Sequence, residues 1–236
     1  RPGAQTEESN IEILQSEPPP EEEWVFAENG VKYQGSHNSG QNLGLFLDQR
    51  DRRKWVRKNA KDKLILNLFA FTSGFSLSVA LGGADEVVTV DIYQKYLNWG
   101  KDNFVLNGLN PEADTYRWYK MDSLEYLKFA KKKGFQFDIV VCDPPSFSRT
   151  KKPNRTFRLE KDFGELIKLC VEVLAPQGIL LFSTNFEGWD LEKWTSELSK
   201  PLSSFPIENV ASSPSQWDFE WQKRQAGLKA FFIHRA

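Results

Sequence analysis

Cysteine, histidine and methionine are scarce in this chain of 236 residues, at two, two and one. The two cysteines, Cys142 and Cys170, each lie inside an apolar run, which leaves neither a disulfide framework nor a cysteine metal site. His37 and His234 have no partners at ligand spacing and read as incidental, so no metal is expected. No uninterrupted apolar stretch is long enough to span a bilayer, and no signal-peptide pattern opens the sequence. The expectation is a soluble, cytoplasmic protein with no membrane partner. An excess of one charge sign is also missing: 31 basic and 32 acidic residues give a net charge of -1. That excludes the domain-wide basic field of a non-specific nucleic-acid binder, so any such site must be a local patch.

Apolar material is plentiful by contrast, at 40% hydrophobic and 14% aromatic residues, enough for one full-sized domain. Residues 1–23 are polar, acidic and proline-containing, and read as a disordered tail or linker; they also suggest a fragment of a longer chain. Residues 24–45 are expected to form a small β-hairpin and lead-in, because Asn29-Gly30 supplies the positive φ angles of a type I′ turn between two short alternating runs. From residue 46 to 236 strand and helix patterns alternate. Strands are expected at 64–69, 87–91, 115–120, 137–143, 178–184 and 227–235. Helices are expected from Gly74 to the Gly82-Gly83 stop, from Tyr93 to Leu106, from the Asp122 cap to Lys132, over the amphipathic stretch Leu159–Leu174, and from Asp190. Parallel neighbours need crossover helices, so the fold class is α/β, a doubly wound sheet.

Ligands of such sheets lie beyond the carboxyl ends of the strands. Four strand ends carry suggestive residues. Phe69 to Phe75, through Thr72, Ser73 and Gly74, is a small-residue turn whose amides can approach a ligand; a plain tight turn remains open, and the spacing does not fit a dinucleotide fingerprint. Asp91 ends the second strand and suits a ribose diol, with a helix cap as the alternative. Asp122 either caps its helix or contacts an adenine amino group. The most specific signal is Asp143-Pro144-Pro145-Ser146-Phe147 after the fourth strand. Consecutive prolines cannot donate to a strand ladder and hold Asp143 extended, giving a rigid platform beside an aromatic that can stack on a planar base. A proline turn with a core phenylalanine is the bland alternative.

These motifs together resemble the Rossmann-like, class I large-subunit rRNA methyltransferases. The likeness runs through LNLFAFTSGFSLSVALGGADEVVTVDIYQKYLNWGKDNFVLNGLN, FDIVVCDPPSFSRTKK, the lead-in FLDQR (46–50), LLFSTNF (180–186) and the stretch Asp218 to Arg224. It covers about residues 24–236 and is nearest to the guanine-N7 methyltransferase half of the fused bacterial enzyme. The resemblance implies a mostly parallel sheet with an antiparallel C-terminal strand, and S-adenosylmethionine as cofactor. It places Phe69, Thr72 and Gly74 near the methionine part, Asp91 on the ribose, Asp122 at the adenine, Asp143 beside the reacting methyl, Arg50 at the cofactor carboxylate, and Ile92 among the cofactor-binding residues. It implies ribosomal RNA as partner. The chain departs from the pattern in reading Thr72-Ser73-Gly74 where relatives have Thr-Gly-Gly, and in lacking the flanking RNA-binding modules, which leaves room for a separate recognition module or partner.

A third departure bears on mechanism. Cytosine-C5 relatives carry a cysteine after the fifth strand, where this chain has Ser183-Thr184-Asn185-Phe186. Cytosine C5 needs a thiolate to add first, whereas guanine N7 already offers a lone pair and needs only alignment. Asp143, Pro144, Pro145, Phe147 and Asn185 are therefore the candidate catalytic residues for methylation of an rRNA base at guanine N7 by direct displacement. Cytosine C5, an exocyclic amine and a non-catalytic RNA-binding role are the alternatives; a nicotinamide dehydrogenase is remote, because the glycine spacing is wrong. Arg149, Lys151, Lys152, Arg155 and Arg158 follow the platform in a polar loop and are the candidate phosphate contacts. Arg50, Arg52, Arg53, Lys54, Arg57 and Lys58 form a second basic run, mostly a helix face, and Trp217 and Trp221 are expected to pack before they stack on bases.

Overall fold

The computed structural model describes residues 23–36, 43–151, 154–213 and 227–236. Strands β1 (Glu23–Glu28) and β2 (Val31–Ser36) form an antiparallel hairpin. Its turn residues Asn29 and Gly30 have φ of 50° and 76°, the pair of positive values that a right-twisted two-residue turn requires. Val31 and Tyr33 point inward onto Leu77 and Phe104, so the hairpin is packed onto the body. A 3-10 turn (Leu47–Gln49) leads into α1 (Arg50–Lys58).

Then follow β3 (Leu64–Leu68), α2 (Gly74–Leu81), β4 (Glu86–Asp91), α3 (Gln94–Leu106), β5 (Tyr116–Lys120), α4 (Ser123–Lys133) and β6 (Phe137–Cys142). The hairpin β7 (Phe147–Lys151) and β8 (Asn154–Arg158) precedes α5 (Leu159–Glu172), β9 (Leu174–Thr184), α6 (Leu191–Leu202), β10 (Ile207–Ser213) and β11 (Lys229–Arg235). The seven-stranded sheet runs β10-β11-β9-β6-β3-β4-β5, with β11 antiparallel to both its neighbours and the other pairs parallel. The alternating pattern predicts the doubly wound α/β sheet, and the antiparallel β11 makes it the Rossmann-like class I methyltransferase architecture that the resemblance implies.

Period-two side-chain alternation divides the core into two layers. Leu66, Leu68, Val140, Cys142, Leu180 and Phe182 face α4, α5 and α6. Ile65, Val87, Ile139, Val141 and Leu181 face α1 and α2. The strand order reverses between β3 and β6, which opens a crevice at their carboxyl ends.

Two elements differ from expectation. The segment after the Asp-Pro-Pro platform is a hairpin rather than a loop, with Ser148 opposite Phe157 and Phe147 opposite Arg158. Its alternation is masked in sequence because only one position of β8, Phe157, is apolar. Strand β10 had no counterpart among the expected strands: IENVASS lies at the sheet edge with both faces partly wet, so it needs no apolar run.

Candidate active site

Residues from β3, β4, β5, β6 and β9 meet around a cavity of about 640 Å³ at the strand ends. Phe69, Ala70, Phe71, Thr72 and Gly74 line it from the β3–α2 loop, Asp91, Ile92, Tyr93 and Tyr96 from the β4–α3 junction, and Asp122 and Ser123 from the start of α4. Asp143, Pro144, Pro145, Ser146 and Ser148 close it beyond β6, with Phe157 and Asn185. Volumes of this size hold ligands of cofactor dimensions.

The β3–α2 loop is bent by three non-glycine residues with positive φ: Phe69 (52°), Phe71 (48°) and Ser73 (64°). Each such residue stores roughly 1–3 kcal/mol of strain, tolerated where the surroundings hold it. Those restraints are visible. The Phe71 amide donates to Asp91 Oδ2 at 2.8 Å, and the Phe69 amide to Ser123 Oγ at 3.3 Å. Thr72 Oγ1 donates to the Gly44 carbonyl at 2.6 Å, so its hydroxyl serves the loop's own architecture. Ser73 is fully buried, and its Oγ has no hydrogen-bond partner.

Asp91 is 7% exposed and also accepts from the Tyr93 amide at 2.8 Å. Tyr93, not Asp91, is the N-cap of α3, so the helix-cap alternative does not describe it; the carboxylate ties strand end to loop. Burial raises its pKa above the ordinary carboxylate value, and the amides of Tyr93, Phe71 and Ile92 oppose that rise. Asp122 caps α4, accepting from the Leu124 and Glu125 amides, and also lines the cavity.

Asp143 is half-buried on its platform and accepts from Ser183 Oγ at 2.7 Å. Burial pushes its pKa up, and Asp48 adds to the rise; Ser183, Gln49 and the Arg52 guanidinium pull it back. Cys142, the preceding residue, and Cys170 are both fully buried. Burial pushes the Cys142 thiol well above its usual value, which keeps it neutral and un-nucleophilic.

Several expected site residues fall elsewhere. Phe147 is 56% exposed and does not line the cavity; its ring lies 5.9 Å from the Arg158 guanidinium. Hairpin alternation turns Phe157 inward instead, 5.6 Å from Phe69, so the aromatic wall comes from β8. Arg50 is not a lining residue, and its Nε lies 3.9 Å from Asp51. Helical geometry brings Gln49 and Arg53 to the cavity instead. The second basic run is not a uniform surface face, since Arg52 and Arg53 are 2% and 3% exposed. Arg53 is clamped bidentately by Glu28 at 2.8 and 2.5 Å and donates to the Phe46 carbonyl at 2.8 Å. Arg149 and Arg158 are exposed beside the platform. The side chains of Lys151, Lys152 and Arg155, together with His37, Trp217, Trp221 and the stretch Asp218 to Arg224, lie outside the described residues.

The charge of the cavity discriminates between ligands. Among the described residues, three carboxylates, Asp91, Asp122 and Asp143, line it with a single guanidinium, Arg53, already engaged by Glu28. A pyrophosphate would meet net repulsion there. A ligand with hydroxyl and amino donors and a positive charge meets carboxylate acceptors instead. The residues fit S-adenosylmethionine.

Comparison with known proteins agrees. A ribosomal RNA large subunit methyltransferase K of Neisseria meningitidis is 36% identical over 202 residues, covering 86% of this chain and 55% of that protein. A ribosomal RNA large subunit methyltransferase K/L of Psychrobacter arcticus is 36% identical over 200 residues, covering 85% of this chain and 25% of that protein. The chain thus spans between a quarter and about half the length of these curated relatives. The crystal structure of SMU.776, described as a methyltransferase and solved with SAH (S-adenosylhomocysteine), superposes with a TM-score of 0.82 at 30% identity, covering 94% of this chain and 58% of that one. A family profile described as S-adenosylmethionine-dependent methyltransferase matches residues 4–234, and the chain belongs to that family.

Proposed function

We propose that this chain methylates a base of ribosomal RNA, at guanine N7, by direct displacement without a covalent enzyme intermediate. The observation that carries the reading is the Asp143-Pro144-Pro145 platform: a carboxylate held by Ser183 at the mouth of the cofactor cavity, directly after a neutral, sealed Cys142. The cofactor, when bound, supplies an electrophilic methyl on a sulfonium. Asp91 would hold the ribose, Ile92 and Asp122 would flank the adenine, and the Phe69–Gly74 loop would receive the methionine part.

With no accessible thiolate, addition to a pyrimidine ring has no nucleophile among the described residues. Guanine N7 needs none. The enzyme's work reduces to alignment and to offsetting the positive charge that grows on the purine ring. Asp143 would supply that charge, Asn185, an exposed lining residue whose amide donates to Asp48, would bond the base edge, and Phe157 with Phe69 would provide the apolar wall. Arg149 and Arg158, exposed after the platform, would contact the phosphate backbone, and Lys151, Lys152 and Arg155 extend the same basic sequence. The names of the relatives support ribosomal RNA as substrate and, with it, a cytoplasmic setting. A separate RNA-recognition module or partner is part of the proposal, since the chain spans only part of its relatives.

An exocyclic amine is the second reading, favoured by the raised pKa of Asp143, which makes it a better proton acceptor than an ordinary carboxylate. The test is methyl transfer from labelled cofactor to large-subunit rRNA, followed by nucleoside digestion and mass spectrometry. The expected product is 7-methylguanosine. A methyl on an exocyclic amine would move the reading to the alternative, 5-methylcytidine would overturn the thiol argument, and cofactor binding with no transfer would favour a non-catalytic RNA-binding protein.

A further inference from the structure

Gln49 is the N-cap residue of α1, yet its side chain makes no capping hydrogen bond. It is 1% exposed and turns instead toward the far side of the cleft. There Gln49 Nε2 donates to Ser183 Oγ at 2.8 Å, across 134 positions of sequence, and Ser183 Oγ donates to Asp143 Oδ1 at 2.7 Å. The direction of this chain is set by chemistry. An ionised carboxylate can only accept, so the serine proton is committed to Asp143, and the serine oxygen must then accept from the amide. Ser183 follows Leu181 and Phe182 in the buried β9, where an apolar residue would satisfy packing alone. Both residues thus forgo their local roles to meet one carboxylate.

The geometry points to Gln49 and Ser183 as positioning residues of the methyl-transfer site, a two-link relay that fixes the orientation of Asp143 and stabilises its ionised form. The inference rests on the reading of Asp143 as the group beside the reacting methyl, and it adds what holds that group in place. Other charged neighbours act on the same carboxylate: Asp48 from the 3-10 turn opposes ionisation, Arg52 from α1 favours it, and the Cys142 thiol beside it stays neutral. Ser183 and Gln49 are therefore the part of the surroundings that reaches the charge by hydrogen bonds, Ser183 directly and Gln49 both through Ser183 and by its own amide. It also makes the turn before α1 part of the active site, although that turn lies far from the strand-end motifs in sequence.

The test is a ¹³C NMR titration of the aspartate carboxylates in the full chain, with Asp143→Asn identifying the resonance. Ser183→Ala is expected to raise the Asp143 midpoint by about one pH unit, since a hydrogen bond to the charged form is lost. Gln49→Leu should raise it by less, and Ser183→Thr, which keeps the hydroxyl, should leave it near the wild-type value. An Asp143 midpoint unmoved by both Ser183→Ala and Gln49→Leu would overturn the relay, and so would a Ser183→Thr midpoint displaced as far as that of Ser183→Ala. A parallel methyl-transfer assay should show kcat lowered roughly 10-fold in Ser183→Ala with KM for RNA unchanged, and restored in Ser183→Thr. If the wild-type chain transfers no methyl to rRNA, the substrate reading fails while the titration still decides the relay.

Discussion

The two halves of the cleft are built differently. On the β3–β4–β5 side the acidic groups are held by backbone amides: Asp91 by Tyr93 and by Phe71, 20 positions earlier, and Asp122 by Leu124 and Glu125. On the β6–β9 side Asp143 is held by side chains from distant segments, Ser183 and Gln49. Backbone amides stay in place whatever the side chains are, so the first half keeps its carboxylates in position through sequence change. The second half depends on particular side chains, which suits the part of a site that must adapt to an acceptor.

The largest effect should come from the second half. Asp143→Ala is expected to lower methyl transfer by about 10²–10³-fold, the usual loss when a preorganised electrostatic group is removed, while calorimetry with S-adenosylhomocysteine shows affinity within a factor of a few. Comparable losses in both would erase the division between halves. Next in size, Asp91→Ala should weaken S-adenosylhomocysteine binding by roughly 10- to 100-fold, as one charge-assisted bond to the ribose is lost. Methyl transfer at saturating cofactor should stay close to normal, which sharpens the contrast with Asp143.

The loop itself can be pressed. A Cβ at Gly100 would lie 2.2 Å from Ser73 Oγ, so Gly100→Ala should destabilise the fold by about 1–3 kcal/mol through overpacking, read as a fall in Tm. Ser73→Gly removes the blocking hydroxyl and accepts φ of 64° without strain, so it should restore most of that loss. If the double variant is no more stable than Gly100→Ala alone, the loop is not held by this contact.

The smallest effect is a pH dependence. The folded-state pKa of Asp143 is raised, so the folded protein holds this proton more tightly than the unfolded chain. Its stabilising contribution is full below the unfolded pKa and is lost as pH rises through the folded value, so at neutral pH the charge opposes folding. Asp143→Asn should therefore keep or slightly raise Tm at pH 7, with the difference vanishing in acid, although transfer is lost. A Tm lowered at pH 7 would mean that the relay more than offsets the burial.

The same division explains what could be read in advance. Strand ends, the Asp122 cap and the Asp-Pro-Pro platform depend on short-range chemistry, and each stands out in a few consecutive residues. Contacts between distant segments leave no such local trace. Gln49 lies inside the FLDQR lead-in that the sequence singles out, yet Arg50 is the residue that attracts attention, because charge suggests a ligand and an amide does not. Phe147 stands next to the prolines in sequence, but strand alternation exposes it and buries Phe157, ten residues on. The burial of Arg53 follows from Glu28 in the preceding hairpin, a partner that spacing alone could not supply.

That hairpin has a consequence for how the chain acquires its structure. Lys32 and Gln34 satisfy their main-chain groups on Asn107 and Asn103, 75 and 69 positions later. An isolated two-stranded hairpin is marginal in water. During vectorial synthesis these residues must therefore remain unpaired until α3 has emerged, several seconds at ordinary elongation rates. The hairpin edge that later bonds to Asn103 and Asn107 is, in that interval, an open β-surface available to folding helpers or to self-association.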